Sequence, residues 1–200
     1  GIWSLNIYDL KEYGLGPHKS VDEKPSGGGP GMVLRADVID TAINNCFKKN
    51  RPLIYFSPKG KPLNQDTIEK FSLTKGVSII CGHFEGIDQR IIDLHDIEEI
   101  SIGDYILSGG EIATIVFLDS LVRLLPDVLG NDNSKKIETF TDGLLEYPQY
   151  TKPNEFKGMK IPDILLSGNH KAIKEWQENQ ALSLTKLRRP DLIDKKKDKI

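Results

Sequence analysis

Three short apolar runs, each followed by a loop containing glycine, constrain the fold of this chain more than any other feature. The runs are Leu53-Ile54-Tyr55-Phe56, Val77-Ser78-Ile79-Ile80-Cys81 and Ile100-Ser101-Ile102. Runs that are apolar without strict alternation suit strands covered on both faces, as in a parallel sheet. Helix-like stretches at 38–48, 65–71 and 89–95 flank and separate them. Strands alternating with helices predict an α/β fold. Residues 111–125 form a strongly apolar stretch, introduced by Ser108-Gly109-Gly110 and stopped by Pro126, which predicts a helix. Thr114, Asp119, Ser120 and Arg123 interrupt its apolar surface, so burial on several sides is expected.

In open parallel sheets, ligands bind outside the carboxyl ends of the strands. Three loops stand at such ends. They are Ser57-Pro58-Lys59-Gly60, Gly82-His83-Phe84-Glu85-Gly86-Ile87-Asp88 and Gly103-Asp104-Tyr105-Ile106-Leu107-Ser108-Gly109-Gly110. Glycine there lets the backbone approach a ligand closely. Neither the dinucleotide fingerprint G-x-G-x-x-G nor the P-loop G-x-x-x-x-G-K-[ST] occurs, so phosphate recognition is not indicated. A nucleoside without phosphates fits better, its base edge held by backbone groups. Taken singly, each loop is ordinary turn chemistry. The segment Gly27-Gly28-Gly29-Pro30-Gly31 reads either as a mobile lid or as a plain linker.

Beyond the apolar helix, residues 130–136 are polar and without periodicity, which marks a linker, and helical patterns such as 172–180 dominate afterwards. The net charge is −2, unevenly spread. Residues 151–200 carry twelve Lys and Arg against seven Asp and Glu, a net +5, which leaves −7 for the first 150. A basic tail on an acidic body reads as a segment for a polyanion or as a solvated, Lys-rich terminus. No run of eighteen apolar residues predicts a membrane span, and no secretory signal is visible. Cys46 and Cys81 have no metal-ligand spacing and suggest no disulfide framework, which points to the cytoplasm. The chain opens at Gly1 directly into Ile2-Trp3-Ser4-Leu5, which reads as an N-terminal truncation.

Together these segments resemble the tRNA (guanine-N1-)-methyltransferase family. The resemblance is carried by Val21-Asp22-Glu23-Lys24-Pro25 with Gly27 to Met32, and by Tyr55-Phe56-Ser57-Pro58-Lys59-Gly60. It continues through Cys81 to Asp88, Ser101 to Glu111, Gly143 to Pro153 and Leu165-Leu166-Ser167-Gly168-Asn169-His170. It implies a SPOUT-type α/β domain with a trefoil-knotted parallel sheet over 1–129, lacking the family's first strand and helix. A linker at 130–138 and a small, mainly helical tRNA-binding domain over 139–200 follow. It further implies a homodimer with the active site at the subunit interface. S-adenosylmethionine would lie bent in the knot, with Gly82 and Ile102, Gly103, Asp104, Tyr105, Ile106 and Leu107 as leading contacts. Tyr55, Ser57, Pro58, Gly60, Glu85, Gly109 and Gly110 would line the same pocket. A magnesium requirement is implied only by the resemblance, because nothing in the sequence marks a metal site.

Methyl transfer from a sulfonium to guanine N1 is an in-line displacement. N1 is a poor nucleophile while protonated, and its deprotonation places charge on O6. The reaction needs a base near N1, a donor near O6 and close alignment. The family's aspartate base matches Glu138 here, a carboxylate one methylene further out, with Asp142 as a neighbouring alternative. The family's arginine matches Arg123, which otherwise reads as an intrahelical partner of Asp119. The resemblance assigns Asp22, Gln149, Tyr150 and Lys152 to the tRNA, and His83 stands where arginine is common. Arg188, Arg189 and the Lys195-Lys196-Lys197 run suit phosphate contacts. Two alternatives remain at this point: a non-catalytic RNA-binding protein with a degenerate fold of the same type, and a methyltransferase with another RNA target.

Overall fold

The structure, a computed structural model, describes residues 1–128, 139–140 and 143–197. The chain divides into two compact units, Gly1–Gly130 and Asn131–Ile200. The first opens with a short 3-10 helix, Leu10–Tyr13, and an antiparallel pair, β1 (Asp22–Glu23) and β2 (Val33–Leu34). There follow α1 (Ala36–Cys46), β3 (Leu53–Pro62), α2 (Gln65–Ser72), β4 (Ser78–Ile80), α3 (Gln89–Leu94), β5 (Glu98–Ser101) and α4 (Gly110–Val122).

Strands β4, β3 and β5 form a parallel sheet in that order, with β3 in the middle. Leu53 to Phe56 are buried within β3, as their composition predicts, whereas β4 is half-buried throughout and β5 starts at exposed Glu98 and ends before Ile102. Successive β3 side chains point to opposite faces and divide the core. Leu53 and Tyr55 pack with Ile39 and Ile43 of α1 and Ile91 of α3. Ile54 and Phe56 pack with Ile68 and Phe71 of α2, Ile100 of β5 and Phe117 of α4. Phe117 is fully buried, its ring 5.7 Å from Phe56 and 5.4 Å from Phe71. Each such buried side chain contributes roughly 1.5–3 kcal/mol. Side-chain caps fix the starts of α2 and α3: Asn64 accepts from the Thr67 N–H at 2.9 Å, and Asp88 from the Arg90 N–H at 2.9 Å.

Three expectations are corrected. Ser57-Pro58-Lys59-Gly60 is not a loop beyond a strand but lies within β3. The register slips there, so that Phe56 and Lys61 both pair with Ile100, and the four residues between are thrown out of the ladder. The apolar helix ends at Val122, with Arg123 as its C-cap, because the approach to Pro126 cannot continue a helix. Nor is that helix buried on several sides. Ala113 and Phe117 face the sheet, while Ile112, Ile115 and Val116 are 58%, 60% and 44% exposed. One face has the sheet to pack on; the other meets nothing among the described residues of this chain.

In the second unit, β6 (Glu155–Phe156) and β7 (Met159–Lys160) make a hairpin, followed by α5 (Asp163–Leu166), α6 (His170–Arg188) and α7 (Pro190–Lys197). Helix α6 is longer than the expected 172–180, since Asn169 caps it by accepting from the Ala172 N–H. Its one buried residue, Thr185, donates to the Ala181 carbonyl at 2.7 Å and accepts the Leu145 N–H at 2.9 Å. No helix of the described residues is long and apolar enough to cross a membrane.

Candidate active site

The carboxyl ends of β4 and β5 and the middle of β3 open on a cavity of about 340 Å³. All three glycine-bearing segments reach it. From β3 come Tyr55, Ser57 and Pro58; from the loop after β4 come Gly82, His83 and Glu85; from the loop after β5 come Ile102, Gly103, Tyr105, Ile106 and Leu107. Gly109 and Gly110 close it at the start of α4. Of the expected cofactor residues, Gly60 and Asp104 do not line it. Gly60 packs its Cα edge against the Ile100 backbone, where a Cβ would collide, and Asp104 is exposed.

The loops are laced together by backbone bonds. The Gly110 N–H donates to the Gly82 carbonyl at 2.9 Å, and His83 bridges to Gly109. Ser101 holds the third loop, donating to the Gly103 carbonyl and accepting its N–H, both at 3.2 Å. The Glu85 N–H donates to the Met32 carbonyl at 2.9 Å, and the Glu85 side chain occupies the space a Cβ on Gly31 would need. The end of the glycine-rich segment, Gly31-Met32, therefore rests against Glu85 of the cavity lining, with Asp22 on the strand that precedes the segment.

Small residues shape the floor. A Cβ on Gly82 would lie 2.5 Å from the buried Tyr55 ring, and one on Gly110 would lie 2.9 Å from the Cys81 Cα. Burial pushes the Tyr55 phenol and the Cys81 thiol up, so both stay protonated near neutral pH. Beside the cavity, His83 Nε2 of its lining lies 2.6 Å from Glu111 Oε1, and this hydrogen bond holds the Glu111 carboxyl below its usual range.

Sequence reasoning missed the His83–Glu111 pair, the lining residues Glu99, Ser101, Ile92 and Ala113, and the positive φ of 57° at Phe84. The first joins residues twenty-eight apart and leaves no local trace. The left-handed backbone at Phe84 is carried by no glycine or asparagine, so no residue type announces it.

With the geometry in place, kinship can be read. The sequence model of the family described as tRNA (Guanine-1)-methyltransferase TrmD matches residues 1–195. The chain belongs to this family. A tRNA (guanine-N(1)-)-methyltransferase of Gluconobacter oxydans is 52% identical over 195 residues, covering 97% of this chain and 83% of that protein. Those of Bartonella henselae and Pelagibacter ubique are 53% and 50% identical, covering 96% and 98% of this chain and 82% and 86% of theirs.

The other residues expected of a family member are placed as follows. Arg123 does not line the cavity. It sits at the far end of α4, roughly 20 Å along the helix from Gly110 at 1.5 Å per residue. Glu138 and Asp142 lie outside the described residues, as does the linker at 130–138. In the second unit Gln149 and Tyr150 are exposed; Gln149 donates to Glu146 at 2.6 Å, and Tyr150 packs on Trp176 with ring centroids 6.3 Å apart. Lys152 and Arg188 are exposed, whereas Arg189 is held by Asp191 through two bonds of 2.8 and 2.7 Å. Among the described residues, no group of three or more His, Cys, Asp or Glu is placed to hold a metal ion.

Proposed function

We propose that this chain transfers a methyl group from S-adenosylmethionine to N1 of the guanine on the 3′ side of the tRNA anticodon. Family membership supports the substrate and the reaction. The observation that carries the cofactor assignment is the convergence of the irregular middle of β3 and the loops after β4 and β5 on one cavity kept clear by glycine. Its apolar wall, with Ile102, Leu107, Ile87 and Ala113, suits an adenine face. Backbone groups of the loops suit the base edge, and no phosphate cradle is needed. Bound there, S-adenosylmethionine supplies an electrophilic methyl carbon.

The chain's own groups do the rest. The Glu138 carboxylate accepts the N1 proton, and the Arg123 guanidinium donates to O6 as charge builds there. Arg123 stands far from the cavity of its own chain, so the proposal requires a second copy. The uncovered face of Ile112, Ile115 and Val116 is the surface we assign to that homodimer. The knotted form belongs to the same reading and rests on family membership. The second unit, with the net +5 of residues 151–200, takes the tRNA, and the reaction runs in the cytoplasm.

Nucleoside mass spectrometry of tRNA transcripts treated with the protein and S-adenosylmethionine tests this. The expected product is 1-methylguanosine, formed only where guanine follows the anticodon. A different modified nucleoside refutes the target, and no binding heat with S-adenosylmethionine refutes the enzyme. Glu138→Gln is expected to lower kcat by about 10²–10⁴-fold while leaving cofactor binding intact.

A further inference from the structure

The β6–β7 hairpin has a composition that the reaction does not explain. Lys157 and Gly158 both have positive φ, 52° and 83°, so two residues close the turn as type I′ hairpins require. Phe156 and Met159 pair directly across it, and directly opposed residues share a face. Both are open, at 57% and 69% exposed. Glu155 and Lys160 pair beside them and form an ion pair of 3.7 Å on the opposite face. At the tip the Lys157 ammonium lies 5.5 Å from the centre of the Phe156 ring.

We infer that this hairpin is a stacking platform on which an unpaired base of the tRNA rests, with Lys157 taking an adjacent phosphate. The inference rests on tRNA being the substrate. An exposed aromatic ring beside a cation is the pairing that single-stranded RNA uses, because every base has a face to stack and a phosphate next to it. Charge complementarity favours RNA over a protein surface. Residues 151–200 carry +5, and residues 152–160 carry Lys152, Lys157 and Lys160 against Glu155, which pairs with Lys160 and leaves Lys152 and Lys157 as the net charge.

The test measures the affinity of the protein for a tRNA transcript at fixed salt, together with its oligomeric state. Phe156→Ala is expected to weaken binding about tenfold and to raise KM for tRNA while leaving S-adenosylmethionine binding unchanged. Phe156→Trp restores affinity, and its fluorescence is quenched by tRNA above the background of Trp3 and Trp176. Lys157→Ala lowers the slope of log affinity against log salt by about 0.7. Wild-type affinity in Phe156→Ala overturns the inference. So does dissociation of a dimer by Phe156→Ala, which makes the face a protein interface. A wild-type protein that binds tRNA but makes no 1-methylguanosine refutes the proposed function instead and leaves the hairpin to be judged by binding alone.

Discussion

Gly82 carries the sharpest prediction. It lies where the loop after β4 leaves the sheet, and its missing side chain is what lets the Tyr55 ring and the cavity coexist. A Cβ added there meets Tyr55 Cε2 at 2.5 Å, the hydroxyl at 2.9 Å and Cζ at 3.1 Å. Ordinary contact begins near 3.4 Å, so the ring must move by about 1 Å. Tyr55 is only 7% exposed and packs in the cluster of Leu53, Ile87 and Ile91, so its ring cannot move toward the core. Overpacking of this kind costs about 1–3 kcal/mol. For a chain of this length, Gly82→Ala should lower Tm by roughly 2–12 °C. The nearest space for the ring is the cavity, so S-adenosylmethionine affinity should fall by about tenfold or more, equivalent to about 1.4 kcal/mol. Calorimetric melting and titration read the two effects. Gly28→Ala is the control: a Cβ there meets nothing within 4 Å, so it carries only the backbone strain of a φ of +82° and should leave cofactor affinity intact. Wild-type melting and cofactor affinity in Gly82→Ala would refute the reasoning.

Three further predictions concern stability. Phe117→Ala empties the contact of α4 with Phe56 and Phe71 and should cost about 3–5 kcal/mol, measured by denaturant unfolding. Thr185→Val keeps the volume but leaves the Leu145 N–H without its acceptor, so the second unit should lose about 1–3 kcal/mol on the same measurement. The Glu111 carboxyl is held below its ordinary value of 4.5, chiefly by the His83 hydrogen bond. A depressed carboxyl contributes stability that is present above 4.5 and lost as pH falls through the lower folded value. Melting against pH should therefore fall less steeply below pH 4.5 in Glu111→Gln than in the wild type. The pair is half exposed, so the difference is small, and equal slopes would show that the bond does not persist in solution.

Much was legible in the residues themselves. Apolar runs reveal buried parallel strands because a strand covered on both faces has no solvent side to alternate with, and Leu53 to Phe56 obey this. Glycine-bearing loops after those strands point to a ligand, and Gly82, Gly103, Gly109 and Gly110 do meet in one cavity. Family signatures are local strings, so kinship too is written in the sequence.

What tertiary structure alone decided depends on separations that no local pattern encodes. The register slip that keeps Ser57 to Gly60 inside β3 is set by pairing with Ile100, some forty residues away. Whether the apolar helix is buried depends on what stands opposite each face, and Ile112, Ile115 and Val116 find the sheet behind them rather than before them. The His83–Glu111 bond arises because two loops fold to one edge. The distance of Arg123 from the cavity is fixed by which end of α4 meets the strands. Periodicity registers a residue's chemistry and its neighbours along the chain; contact between distant segments is a property of the packed chain.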